Sequence, residues 1–258
     1  MDEAGVVSME QESSIIQHPR NLGPAHFLLL LSDSALPLGS FAFSSGLESY
    51  LAHQPSPSSE SLPSFLSRSL LSLASTSLPF VLASHRSPIC VLSLDIQQEA
   101  GLLCSVTRRA SIAQGRAMMA LWDRSFKAGA KQNNPAVNAL DQFSKSIKIG
   151  GTGQDRAVGH LAPVWGAITS ALGLTEEDAA YLFLFNQIKS VISAAVRANV
   201  LGPYQAQKIL AEVWIRQEME AAMKQFWTTK VDEVGQSWPV LDLWLGRHEM
   251  LYSRIFNS

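Results

Sequence analysis

Residues 176–200, EEDAAYLFLFNQIKSVISAAVRANV, constrain the fold of this chain more than any other stretch. Leu184, Ile188, Val191 and Ala195 recur at helical spacing as one apolar stripe, while Asn186, Ser190, Ser193 and Arg197 form a narrow polar one. Thr175 precedes three acids, an order that caps a helix and offsets the partial charge of its N-terminus. Gly202-Pro203 stops it. A helix apolar around most of its circumference has to be surrounded by others. The polar stripe is a solvated face by default; otherwise it lines an internal passage or faces a partner.

The flanking segments carry the same period. AHFLLLLSDSALP predicts a short buried helix ending at Pro37, since the residue before proline leaves the α region. Helices follow over Ser40–Ala52, Leu62–Ser84, Leu92–Leu103 and Val106–Ala128, then up to Ile149, over His160–Leu172, and over Tyr204–Trp227. QPSPSSESLP and GGTGQDR read as loops. No alternating run with a hairpin dipeptide occurs, and no repeat period. The expectation is an all-α, single-domain bundle of eight to ten helices over residues 25–258, preceded by a flexible leader at 1–24.

Composition narrows the function. Hydrophobic residues make up 47% of the chain and charged ones only 16%, for a net charge of -2, against about 25% charged in an average domain. The chain holds 33 serines, 22 of them in the first 100 residues. Four charges, Asp33, Glu48, Glu60 and Arg68, serve the whole of Leu22 to His85. Nucleic-acid binding is excluded, because it needs a basic face to release counterions. So is a wholly disordered chain. A surface so poor in charge points to obligate partners. Cys90 and Cys104 lack metal or redox spacing and fit a reducing compartment. The acidic N-terminus has no signal-peptide pattern. A soluble cytoplasmic protein without a membrane partner is expected.

Catalytic signatures are missing. GGTGQDR lacks the lysine of a phosphate loop and the third glycine of a dinucleotide fingerprint. HEMLY opens like a zinc-peptidase helix but has Tyr252 where the second histidine must stand. The six histidines are scattered and read as hydrogen-bonding or surface residues. No GxSxG occurs. No cofactor is expected, and the chain reads as no enzyme. The rival is a hydrolase or transferase whose nucleophile is assembled by the bundle.

Two further segments stand out. In residues 28–54, Phe41, Phe43, Leu47, Tyr50 and Leu51 make a dense apolar face, and Asp33 needs a cap or backbone amides as partners. The tail, 236–258, carries a large apolar load for a terminus, with Arg247, His248 and Arg254 as polar handles. It docks on its own bundle or on another chain.

The segments SDSALPLGSFAFSSGLESYL, TRRASIAQGRAMMAL (107–121), GHLAPVWGAI (159–168), YLFLFNQIKSVISAAVRANVLG (181–202) and RHEMLYSRIFNS (247–258), spread in order over the chain, resemble the UreF family of urease accessory proteins. The resemblance implies an all-helical, non-enzymatic maturation factor. Such a factor dimerises, binds a UreD/UreH-like accessory protein and recruits a UreG-like GTPase, so that nickel, a cargo of the complex, enters apo-urease. It also implies partner-engaging roles for Tyr50 in GLESY and Arg254 in LYSR. With their neighbours these give the candidate partner-binding residues Glu48, Tyr50, His248, Tyr252 and Arg254. Phe43 stands where many bacterial members have His or Tyr, so no metal role carries over to that position.

Overall fold

The computed structural model describes residues 23–53, 61–130, 134–150 and 156–257. Among them are eleven α-helices and no strand: α1 (Pro24–Ser32), α2 (Leu47–Ala52), α3 (Ser61–Arg86), α4 (Val91–Gly101), α5 (Ser105–Leu121), α6 (Pro135–Ile149), α7 (Leu161–Ala171), α8 (Glu176–Arg197), α9 (Pro203–Leu210), α10 (Val213–Phe226) and α11 (Val240–His248). The all-α expectation holds. Of the expected leader, only Gly23 and Pro24 fall within the described residues, and Pro24 already opens α1.

The centre of the bundle is α3, α7 and α8. α8 buries its apolar stripe, with Leu184, Ile188, Val191 and Ala195 all in the core. Its start is capped as the sequence demands: the Thr175 hydroxyl accepts the Asp178 N–H at 3.0 Å. α3 and α8 are long and apolar enough to cross a membrane, but 72% and 56% of their most apolar windows are buried, as in core helices. α3 and α7 touch closely because Gly166 has no side chain; a Cβ there would lie 2.2 Å from the Val81 carbonyl oxygen. Beside it, the buried Trp165 donates its indole N–H to the Ala179 carbonyl at 2.9 Å.

Four departures from the sequence reading have local causes. α1 ends at Ser32, not Pro37, and Asp33 is exposed, its Oδ1 accepting the Ala35 N–H at 2.9 Å. The expected helix over 40–52 is a 3₁₀ turn at Ser40–Ala42 followed by α2. Ser45 and Gly46, with φ of 52° and 85°, break it, a conformation no helix tolerates. The helix over 106–128 ends as α5 at Leu121 and continues as a π turn, Trp122–Phe126. Tyr204–Trp227 is split at Ala211-Glu212, where Glu212 becomes extended and its carboxylate accepts the Trp214 indole N–H at 2.5 Å. That split and the tail helix α11 bring the helices to one more than expected.

Candidate functional site

Two of the five candidate residues, Glu48 and His248, meet, and the Glu48 carboxylate gathers the returning tail as well. Glu48 lies on the first turn of α2, just past the left-handed bend at Ser45-Gly46. Its Oε2 is 2.7 Å from His248 Nε2 and accepts the Phe256 N–H at 3.2 Å; its Oε1 accepts the Ile255 N–H at 2.7 Å. One side chain thus holds the end of α11 and the tail seven residues further on. Glu48 is 12% exposed and His248 not at all. Phe256 is buried beneath the Arg197 guanidinium, 4.3 Å from its ring centroid, and the Asn257 N–H is accepted by the Ala42 carbonyl at 2.8 Å.

Between these anchors, residues 249–255 form an arch. Glu249 pairs with Arg109 of α5, which holds its carboxyl below the ordinary range. Tyr252 is fully exposed, Arg254 is exposed, and Met250 and Ile255 are largely so. The candidates therefore divide. Tyr252 and Arg254 face outward, whereas Glu48 and His248 face each other inside. Tyr50 is half-buried, its ring 4.9 Å from Phe65 and 5.8 Å edge-on from Trp244, and so supports α11. The dense apolar face expected around α2 is only partly internal: Leu47 and Leu51 are core, but Phe41 is 68% exposed.

Behind α11 is a cavity of about 480 Å³. Asn186, Ser190 and Ser193 of α8 line it; Asn186 and Ser190 are half-buried and Ser193 is exposed, so the polar stripe runs along a cavity that opens to solvent. Asn186 also donates to the Leu31 carbonyl at 3.0 Å and Ser190 to that of Ser40 at 3.1 Å. Across from them stand Ser69, Ser72 and Ser77 of α3. Lys189, on the rim, donates to the Ser32 carbonyl, and burial holds its pKa below the usual lysine range. Among the described residues no cluster of three or more metal-ligating side chains occurs.

A second carboxylate, missed in the sequence, organises the joint of α4, α5 and α7. Asp95 is fully buried and accepts the N–H groups of Val158 (2.7 Å), Gly159 (3.1 Å) and His160 (2.6 Å). α5 crosses this loop at Gly115, where a Cβ would lie 2.2 Å from the Gly159 oxygen. His160 is also fully buried, 3.1 Å from Ser111 Oγ through Nδ1 and 2.9 Å from Glu99 through Nε2. The Glu99 carboxylate only accepts, so Nε2 donates to it; in the neutral ring that burial favours, Nδ1 then accepts from Ser111 Oγ, whose oxygen in turn accepts the Leu161 N–H at 3.2 Å. Burial lowers the His160 pKa despite the opposing pull of Asp95 and Glu99. This is the serine–histidine–acid order that the hydrolase rival requires. However, the imidazole is sealed, and the N–H groups of 158–160 that would serve an oxyanion are taken by Asp95. The cluster acts as a joint.

Fold and site together define an all-helical scaffold that mounts an exposed aromatic–arginine segment on a buried carboxylate. The chain belongs to the UreF family of urease accessory proteins, whose family model, UreF, matches residues 57–213. It is 36% identical over 233 residues to a UreF-like urease accessory protein of Schizosaccharomyces pombe, covering 90% of this chain and 97% of that one. It is 30% identical to urease accessory protein 6 of Cryptococcus neoformans, covering 90% and 96%. Urease accessory protein F of Arabidopsis thaliana is 31% identical over 230 residues, with 88% and 90% covered.

Proposed function

We propose that the chain is a non-catalytic scaffold of urease maturation. In the cytoplasm it acts as a homodimer with a UreD/UreH-like accessory protein and recruits a UreG-like GTPase, so that nickel reaches apo-urease. The observation that carries this reading is the arch: an exposed tyrosine and arginine, the residue types that dominate interface energetics, fixed at both ends before any partner arrives. A segment already held in place loses little conformational entropy on docking. The scaffold biases the GTPase by binding its nucleotide-loaded form better than its empty one.

The cavity supports a supplementary role. Hydroxyl and amide groups of α3 and α8, set in a mostly apolar lining, suit brief passage of a hydrated ion better than storage, so calorimetry on the isolated chain is expected to show no stoichiometric nickel site.

Coexpression with UreD- and UreG-like partners tests the main reading. One complex on gel filtration is expected, and Tyr252→Ala with Arg254→Ala loses the GTPase from it. Full retention of the GTPase by that double variant removes the arch from the interface. Deletion of the gene abolishes urease activity, and excess nickel restores part of it; turnover by the isolated chain would favour the hydrolase rival instead.

A further inference from the structure

Residues 236–257 have two sides. The outward side carries the arch. The inward side is a wall of the cavity, through Gln236, Leu241, Asp242 and Leu245. At its start, Ser72 Oγ donates to Gln236 Oε1 at 2.5 Å, and the Trp238 ring packs 5.8 Å from Phe65. In the middle, Leu241 and Leu245 rest on Gly46, where a Cβ would come within 3.1 Å of Leu241. At its end, the Glu48 carboxylate takes His248 and the N–H groups of Ile255 and Phe256. α11 has nine residues, too few to persist as a helix without such tethers. Ser69, Ser72 and Ser77 line the cavity under this wall and are still no more than 8% exposed.

We infer that α11 and the tail form a strap that covers the α3 wall of the cavity, away from its mouth at the exposed Phe41 and Leu103, and that the Glu48 clasp sets how often the strap opens. Segments tethered at a few points open locally with free energies well below that of global unfolding, and removing an anchor at one end shifts that equilibrium directly. Glu48 is a positioning residue: it holds the arch for docking and the strap over the α3 wall with the same three hydrogen bonds. Only the docking half rests on the function proposed above. The strap itself rests on the cavity wall and its tethers.

Thiol labelling of the full chain tests this. With Cys90→Ser and Cys104→Ser as background, Ser69→Cys puts one thiol on the cavity wall and Ser144→Cys puts one in a buried position on α6, away from the cavity. The probe is aminoethyl methanethiosulfonate. Glu48→Ala is expected to speed labelling at Ser69→Cys by about tenfold, or ~1.4 kcal/mol of opening, with Ser144→Cys unchanged. An unchanged rate at Ser69→Cys overturns the inference, and so does equal acceleration at both sites, which marks general loosening. If Ser69→Cys does not fold, Ser77→Cys on the same wall takes its place. Arg254→Ala, on the outward side, leaves the labelling rate unchanged even where it loses the GTPase. A failure of the docking reading therefore appears in capture alone, and a failure of the strap in labelling alone.

Discussion

Asp95 and Glu48 perform the same chemical operation in two regions, with different consequences. Each is a carboxylate at a helix surface that accepts backbone N–H groups from a distant segment, and each accompanies a fully buried histidine. Asp95 receives three backbone donors and is sealed within the joint of α4, α5 and α7. Glu48 receives two backbone donors and an imidazole, and what it holds is bare on its outer side. A carboxylate clasp on packed chain makes a joint. The same clasp on exposed chain makes a mount.

The largest expected effect is on the joint. Asp95→Ala leaves three N–H groups without an acceptor, those of the buried Gly159 and His160 and the half-buried Val158; at about 1–3 kcal/mol for each buried one, it should cost about 4 kcal/mol in all. Urea unfolding measures this as a lower midpoint at unchanged slope. Asp95→Asn keeps one acceptor oxygen and should lose about half as much. A cost below ~1 kcal/mol for Asp95→Ala would dissolve the distinction between joint and mount.

Glu48→Ala comes next. Its hydrogen bonds are fewer and nearer solvent, so about 1–2 kcal/mol is expected in the same experiment. Its mark is that capture of the UreG-like partner falls together with protection of residues 249–257 from hydrogen exchange. Retained protection there would show that Arg197 over Phe256 and the Asn257–Ala42 hydrogen bond hold the tail alone.

The contrast between the clasps explains what was legible beforehand. α8 and its Thr175 cap follow from spacing within one segment, and the family's motifs brought out Glu48, Tyr50, His248, Tyr252 and Arg254 as a group. Asp95 had no such signal, because its donors lie 63 to 65 residues away and nothing local marks a carboxylate that will meet them. Which candidates face inward was equally hidden: Glu48 and His248 are internal only because the tail returns to α2. The polar stripe of α8 was visible, but its role depends on what α3 and α11 place opposite it.

A smaller effect separates the regions by pH. Burial keeps the folded-state pKa of His160 below its unfolded value of 6.5, and that of His85 likewise. The unfolded chain therefore binds more protons, so this stability is complete above pH 6.5 and declines as the pH falls toward the folded values. The urea midpoint should therefore fall as the pH is lowered from 7 to 5.5. His160→Gln, though less stable throughout, should flatten part of that slope, with His85 supplying the remainder. An undiminished slope would mean that the joint is not where the acid sensitivity arises.

The smallest effect on stability is the most telling for the mount. Tyr252 and Arg254 are exposed and accept or donate none of the tail's anchoring hydrogen bonds. Surface substitutions away from such features stay within about 0.5 kcal/mol, so Tyr252→Ala and Arg254→Ala should leave the urea midpoint where it is. Capture of the GTPase should nevertheless fall by about tenfold or more for each, the loss typical of an interface anchor. Glu48→Ala reaches the same loss by a different route, with stability and tail protection falling too. If Arg254→Ala also lowered stability or exposed the 249–257 amides, the arginine would be part of the clasp, and the arch would be packed structure with no free face to offer a partner.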